Sequence, residues 1–378
     1  MIDKLIEGKL VTLIVGSVFR LVEILVRAVH ITVRGVRLLV QETVTSRIDR
    51  RVSTIGKRLV ASRARVDAAS IVLIESAGEY TGDPKYIAEE ILRRGAPYRI
   101  TWLLLDQSVG PFPQEFRLVR YGTADAFRAI AAAKVVVQNG RSLQTSGAWK
   151  SAAQHWVQTG PRHDPQTEVA LATLGHARND VLVDTPPETV AAVRKKVLDR
   201  LGIPDTGQRF LLYAPSPGRS GAVPLSGIDV AAVRATLAER FGGTWEILIR
   251  TSDPSRARSD IALSGLPAYC RNASFHPDAQ ELLVVADAVL ADRSDRLGDY
   301  LLTRRPAFLF ATDPGSRDAA DSPLPAATSS GELLTAIAQF DQEVHDQRVA
   351  QLLARSGSAD DGAAARRIVD AIGDLMAR

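Results

Sequence analysis

Among 378 residues the sequence holds a single cysteine, Cys270, so no intramolecular disulfide framework staples this chain. The lone thiol suits a reducing compartment and reads as buried or incidental. Metal-ligand spacing of Cys and His is missing, as are a phosphate-binding P-loop, a Gly-x-Ser-x-Gly elbow and a zinc-protease motif. Those enzyme classes are set aside, and neither a metal nor a cofactor is expected. Internal repeats and long low-complexity tracts are also lacking. Charge is short too, at a net +4, and it is unevenly spread. Residues 1–66 hold 13 Lys/Arg against 5 Asp/Glu, whereas the rest of the chain holds 34 against 38. A nucleic-acid binder carries its positive charge across the folded domain with interleaved aromatics, so nucleic acid is not an expected partner. What remains is 46% hydrophobic and 24% charged, the composition of a globular protein long enough for two cored domains.

The basic segment is periodic. Arg20, Glu23, Arg27, His30, Arg34, Arg37 and Gln41 recur at alternate spacings of three and four, drawing one narrow polar stripe along a helix with a wide apolar face. Its longest uncharged run, Leu10–Phe19, is ten residues, about half of the ~20 that cross a hydrocarbon core. A helix lying on an anionic membrane surface is therefore expected, helped by Arg47, Arg50, Arg51, Lys57 and Arg58. Asp3 and Glu7 spoil a secretory n-region, and no small-residue cleavage site precedes Arg20. The same period serves a coiled coil or a helix packed on protein, so self-association into a homo-oligomer stays open.

After Asp67 the pattern changes to short apolar runs: Ile71–Ile74, Ile100–Leu105, Val135–Val137, Val181–Val183, Phe210–Tyr213, Trp245–Ile249, Ala288–Leu290 and Ala307–Phe310. Helical periods separate them, over Pro84–Arg94, Ala124–Ala133, Glu188–Leu201, Val230–Phe241, Ala279–Val285 and Arg296–Thr303. Continuous apolar strands alternating with helices predict parallel sheets covered on both faces. The polar stretch Gly202–Arg209 splits the series, giving an α/β chain of two Rossmann-like lobes with parallel sheets, preceded by the N-terminal amphipathic helical segment. The expected domains are 1–66, 67–203 and 204–378, the last closing with C-terminal helices. Ligands should bind where the strand carboxyl ends of both lobes face each other.

Several residues stand where such a cleft would lie. Asp83 and Pro84 read as N-cap and first helical residue, a local explanation that Glu75 and Lys85 lack. Glu75 is a catalytic candidate. Ser216 and Arg219 follow the strand Phe210–Tyr213 in a loop where a phosphate fits, as a generic strand-to-helix loop would also look. Arg250 closes another strand. Gln280 and Glu281 open a helix, and Asp292 and Ser294 lie in a polar loop before the next one, where free N–H groups and the helix dipole favour an anion.

These residues also carry a resemblance. The order Ile-Glu-Ser, then Gly-Asp-Pro-Lys-Tyr-Ile, Gln-His-Trp near 155, Leu-Tyr-Ala-Pro, and Asp-Ala-Gln-Glu-Leu-Leu with Ala-Asp-Ala-Val-Leu-Ala-Asp-Arg-Ser through Arg-Pro resembles the CDP-glycerol glycerophosphotransferase family of teichoic-acid synthesis, over about residues 71–313. The resemblance implies a GT-B-like fold, with 67–203 as the acceptor lobe and 204–378 as the donor nucleotide lobe. It further implies a peripheral transferase at the cytoplasmic face of the plasma membrane. Glycerol phosphate or another polyol phosphate would pass from a CDP-activated donor to a lipid-linked glycan acceptor.

The chain departs from the family pattern. Where the family has Trp-His-Gly-Thr-Pro, it reads Gln154-His155-Trp156-Val157-Gln158-Thr159-Gly160-Pro161, with Val157 at the place of the His. The second family His, after an Arg, is lacking in Arg250-Thr251-Ser252, and the phosphate loop is Ala291-Asp292-Arg293-Ser294-Asp295, keeping Asp292 and Ser294. His155 and His163 are then the nearby candidates for the base, and Ser216, Arg219, Arg250, Gln280, Asp292 and Ser294 the candidates for donor and phosphate binding. Two other readings remain: a catalytically impaired relative serving as a binding or assembly protein, and a GT-B glycosyltransferase using a nucleotide sugar.

Overall fold

A computed structural model describes residues 64–75, 79–104, 111–139, 150–159, 169–215, 227–251, 266–291, 295–310, 324, 326–357 and 359–378. All belong to one compact unit, Ala64–Arg378. The amphipathic helix expected within 1–66 falls outside the described residues but for its last three, and the candidates His163, Ser216, Arg219, Asp292 and Ser294 fall outside altogether. No helix among the described residues is long and apolar enough to cross a membrane.

Two sheets are built. The first joins β1 (Asp67–Glu75), β2 (Arg99–Leu104), β3 (Arg117–Arg120), β4 (Ala133–Asn139), β5 (His155–Gln158) and β6 (Val169–Ala170) in the order β3-β2-β1-β4-β5-β6. The second joins β7 (Arg209–Ala214), β8 (Trp245–Ile249), β9 (Cys270–Asn272), β10 (Ala288–Ala291), β11 (Ala307–Phe310) and β12 (Ala326–Ala327) in the order β12-β11-β10-β7-β8-β9. Every pairing is parallel. Read from each lobe's first strand, both orders are 3-2-1-4-5-6, the doubly wound arrangement in which a ligand crevice opens at the reversal point. Those points lie between β1 and β4 and between β7 and β10. The fold is thus the expected GT-B-like pair of parallel-sheet lobes. Central strands are apolar throughout because helices cover both faces: Ile71–Ile74 of β1 and Phe210–Ala214 of β7 are all buried.

Among the described residues the α-helices are α1 (Gly82–Arg93), α2 (Ala124–Ala132), α3 (Pro187–Leu201), α4 (Val230–Phe241), α5 (Ala279–Val285), α6 (Asp295–Leu301), α7 (Ser330–Ala338), α8 (Gln342–Ser356) and α9 (Ala364–Ala377). Their starts follow from side-chain caps: Thr123, Asp229, Asp278, Ser329 and Asp341 each accept from a first-turn N–H of the helix they precede. Asp83 is not such a cap. It lies inside α1, fully buried, and Thr81 precedes the helix without a side-chain cap bond.

Sequence order and packing diverge twice. Helix α3 precedes the expected boundary at 203/204, yet Val197 and Leu198 pack with Ile203, Phe210, Leu282 and Leu283 of the second lobe. Helix α9 closes the chain, yet Ile368, Val369, Ile372 and Leu375 pack with Ile71, Leu73, Ile87 and Trp102 of the first. The chain crosses between lobes just before α3 and returns just before α9. At the first crossing Val181–Val183 is not the expected strand, since Ala177–Leu182 is a 3-10 helix. Its polar side chains bind groups from both lobes, and Asp180 accepts from the N–H groups of Ala364 (2.9 Å) and Ala365 (2.7 Å), capping α9. A strand buried on both faces has no place for such side chains. Cys270 is buried as expected, and burial pushes its thiol up to about 11.

Candidate functional site at the junction of the lobes

Helix α1 follows β1 and helix α5 follows β9, so both begin at carboxyl ends of their sheets. Their first turns meet. Lys85 of α1 reaches Asp278 (2.6 Å) and Glu281 (2.8 Å), and all three side chains are at most 6% exposed. The Tyr86 hydroxyl donates to the same Asp278 oxygen at 3.2 Å, while the other oxygen caps α5 through the Gln280 N–H at 3.0 Å. Glu281 receives Lys196 at 2.5 Å and, on its second oxygen, the His276 ring at 3.0 Å.

Burial alone would raise the Glu281 carboxyl, but the His276 hydrogen bond, the Lys85 charge and contacts from Lys196 and Lys85 hold it well below the usual carboxylate range. Lys85 shows the mirror image: burial disfavours its charge, and Asp278, Glu89 and Glu281 more than compensate, lifting it above the ordinary lysine value. An ionised Glu281 can only accept, so His276 Nε2 carries the shared proton. Its Nδ1 is buried and has no hydrogen-bond partner among the described residues.

A second knot lies beside the first. Arg178 binds Asp83 of α1 through its backbone N–H and its guanidinium, both at 3.0 Å, and Asp299 of α6 at 3.2 Å. Asn179 donates to Asp299 and Asp360, each at 3.0 Å, and accepts from the Gln280 amide at 2.7 Å. Asp360, on the return crossing, accepts from His176 N–H at 2.5 Å and faces its Nδ1 at 3.3 Å. That contact raises the His176 pKa against the opposing effect of burial. Buried charges are tolerable here because each meets a counter-charge or several hydrogen bonds.

The candidate residues separate on this frame. Glu75 ends β1 beside Asn139, the end of β4, whose amide donates to it at 2.8 Å, so the pair marks the first lobe's reversal point. The carboxylate lies against the start of α1: a Cβ on Gly82 would sit 2.4 Å from Glu75 Oε2. Arg250 follows β8 at the carboxyl edge of the second sheet, 8% exposed, and donates to the His276 carbonyl. Gln280 is buried, and its amide donates to Asn179 at 2.7 Å and to Asp299 at 3.4 Å within the junction. His155 opens β5 opposite Val135. Three residues at about 3.3 Å each leave it about 10 Å short of the carboxyl edge.

Val157 is fully buried with Val137, Leu73 and Ala177 in the first lobe's core. Lys85, Asp278, Glu281 and His276 form a buried junction cluster that the sequence does not bring together. Lys85 had been noticed as lacking a capping role, but partners 193 and 196 residues away have no sequence signal.

A family model described as CDP-Glycerol:Poly(glycerophosphate) glycerophosphotransferase matches residues 162–374, more than half of the chain. The chain is 22% identical over 368 residues to the teichoic acid poly(glycerol phosphate) polymerase of Staphylococcus epidermidis, a match covering 80% of this chain and 50% of that protein. It thus spans about half the length of this curated relative. Among solved structures, the wall teichoic acid polymerase TagF superposes with a TM-score of 0.68 at 21% identity, covering 88% of this chain and 96% of that one. A TagF variant soaked with CDPG superposes with a TM-score of 0.67 at 22% identity, over the same shares. At such identities the likeness to solved structures establishes the shared two-lobed fold.

Proposed function

The chain belongs to the CDP-glycerol:poly(glycerophosphate) glycerophosphotransferase family, and from that premise we propose that it transfers glycerol phosphate, or a related polyol phosphate, from a CDP-linked donor to a lipid-linked acceptor in teichoic-acid-type synthesis. An acceptor hydroxyl attacks the phosphorus that carries the polyol. A new P–O bond forms there, the bond to the bridging oxygen breaks, and CMP departs with that oxygen while the hydroxyl proton passes to a base. Such transfer is mostly positioning and charge stabilisation. The basic segment 1–66 holds the enzyme on anionic lipid at the cytoplasmic face, where a lipid-linked acceptor would lie.

Arg250 supports this reading: a buried cation at the carboxyl edge of the second sheet suits the phosphates of a bound nucleotide. Glu75, at the first lobe's reversal point, and His163, beyond Thr159, are the candidates for the base. Ser216, Arg219, Asp292 and Ser294 are proposed to complete the phosphate contacts. The junction of Lys85 with Asp278 and Glu281 brings the two carboxyl edges together, so donor and acceptor share one cleft.

Incubation of the full chain with CDP-glycerol and a lipid-linked acceptor should release CMP. Loss of one charge-stabilising donor typically costs 10²–10³ in rate, so Arg250→Ala should lower kcat/KM by about 100-fold. Absence of CMP release together with absence of CDP-glycerol binding by calorimetry would overturn the transferase reading.

A further inference from the structure

Both the backbone and the side chain of Arg250 are tied down at the end of β8. Its own N–H donates to the Tyr213 carbonyl at 2.9 Å, extending the ladder between β7 and β8 by one residue. On either side of it the strand end is bound to the turn that follows β9: the Ala273 N–H donates to the Ile249 carbonyl at 2.8 Å, and the Thr251 N–H donates to Ser274 Oγ at 3.0 Å. The guanidinium then donates to the carbonyl of His276, at the end of that turn.

That carbonyl is held in turn from the junction of the lobes. The His276 N–H returns to the Ala273 carbonyl at 3.1 Å, and the enclosed ring meets Glu281 Oε2 through Nε2 at 3.0 Å. Because Nδ1 has no hydrogen-bond partner, Glu281 is what orients the imidazole. The other oxygen of Glu281 receives Lys196 at 2.5 Å and Lys85 at 2.8 Å, and Lys85 belongs to α1 of the first lobe. A continuous series of contacts therefore runs from a first-lobe cation through a carboxylate and an imidazole to the carbonyl on which Arg250 rests. The first lobe also feels Arg250 directly. Burial pushes the carboxyl of Glu79, between β1 and α1, upward, and the Arg250 charge is the largest influence drawing it down.

We propose that His276 and Glu281 are positioning residues for Arg250: they fix the carbonyl that aims its guanidinium at the donor's phosphates, and Lys85 ties that aim to the docking of the first lobe. This rests on the transferase reading above, in which Arg250 takes a phosphate, and adds to it the groups that hold Arg250 ready. A guanidinium fixed before the ligand arrives loses less freedom on binding and needs no rearrangement as charge develops. The His276 ring is fully enclosed, so it acts on the donor only through Arg250.

The experiment is a double-mutant cycle between His276 and Arg250 on the full chain, read as CMP release from CDP-glycerol with a lipid-linked acceptor, with folding followed by thermal melts. A misplacement of about 1 Å can cost about 100-fold, so His276→Ala should lower kcat/KM by about 10- to 100-fold. In an Arg250→Ala background the same replacement should cost less than about 2-fold, since the group it serves is gone. His276→Gln, whose amide can donate to Glu281 from the place of Nε2, should return activity to within about 3-fold of wild type. His276→Asn stops short of Glu281 and should behave as alanine does, so the cycle can be closed with it if the alanine variant does not fold. Losses that multiply in the double variant overturn the proposal. So does a glutamine variant no better than the alanine one, or a His276→Ala chain with the wild-type kcat/KM. An Arg250→Ala chain as active as wild type removes Arg250 from the donor site and this proposal with it, while transfer itself stands. A wild-type chain that neither releases CMP nor binds CDP-glycerol removes the transferase reading, an outcome separate from any difference between variants.

Discussion

Replacing Lys85 by methionine should destabilise the two-lobed body by about 3 kcal/mol. Removing one partner of a buried ion pair costs 3–5 kcal/mol, because the remaining charge is left uncompensated. The low end applies here. Glu281 keeps Lys196 at 2.5 Å and His276 at 3.0 Å, and Asp278 keeps the Tyr86 hydroxyl at 3.2 Å and the Gln280 N–H at 3.0 Å. For a body of this size roughly 2 °C of Tm accompanies each kcal/mol, so K85M should melt about 6 °C below wild type. Scanning calorimetry on K85M, E281Q and the double variant then isolates the pair. Since Glu281 is one of two carboxylates on Lys85, a coupling of about 1.5 kcal/mol is expected within the range seen for contacting residues.

The pH dependence has a definite sign. The Glu281 carboxyl is depressed in the folded chain, so its contribution is complete above the ordinary glutamate value of about 4.3 and is lost as pH falls toward the folded value. K85M brings that carboxyl back toward its ordinary value, so the gap in Tm between wild type and variant should narrow below about pH 4.3. A K85M protein melting within about 1 °C of wild type, or a coupling below about 0.5 kcal/mol, would refute the reasoning, since attraction would then be no larger than desolvation.

At the return crossing, His176 is raised by its Asp360 contact, so the stabilisation it gives is complete below about pH 6.5 and lost as pH rises through the raised folded value. His176→Asn should therefore differ most from wild type in Tm near pH 6 and least near pH 9, and a constant difference would count against the pair. Gly82 sits at φ +65° with Glu75 Oε2 2.4 Å from the place a Cβ would occupy. Gly82→Ala should lower stability by about 2–3 kcal/mol, seen as a lower urea midpoint, and adding Glu75→Ala should recover the steric part. An unchanged midpoint would mean that Glu75 does not lie against α1.

Much of the architecture was legible in the sequence because buried parallel strands are written as uninterrupted apolar runs. Ile71–Ile74, Phe210–Tyr213 and Trp245–Ile249 lie on β1, β7 and β8. The strands that escaped are short or lie at edges: β3 reads Arg-Leu-Val-Arg with one buried residue, and β6 and β12 span two residues each. Val181–Val183 misled for the opposite reason, since valines around a buried interlobe turn mimic a core strand. The site was harder. The places of Glu75 and Arg250 at strand ends were legible because a charged residue just after an apolar run marks a strand's carboxyl end. His155 opens β5, and neighbouring letters of a motif do not tell which end of a strand a residue occupies. Asp83 looked like a cap because Asp-Pro commonly is one, while its actual partner, Arg178, is 95 residues away.

The position of Val157 changes how the departures from the family pattern should be weighed. A side chain packed against Leu73 and Val137 in the first lobe's core cannot stand at a reacting atom, so valine there says nothing about a lost base. Thr159, just past β5, donates its N–H to the Gln138 carbonyl at 3.0 Å at the edge of the sheet. His163 follows four residues later in the chain and lies outside the described residues. In the second lobe Arg250 stands at the strand end and donates to the carbonyl of His276, whose Nε2 meets Glu281 Oε2 at 3.0 Å. That contact ties the turn after β9 to the first turn of α5. Of the residues proposed for the transfer, Glu75 stands at the carboxyl end of β1 in the first lobe and Arg250 just after β8 in the second.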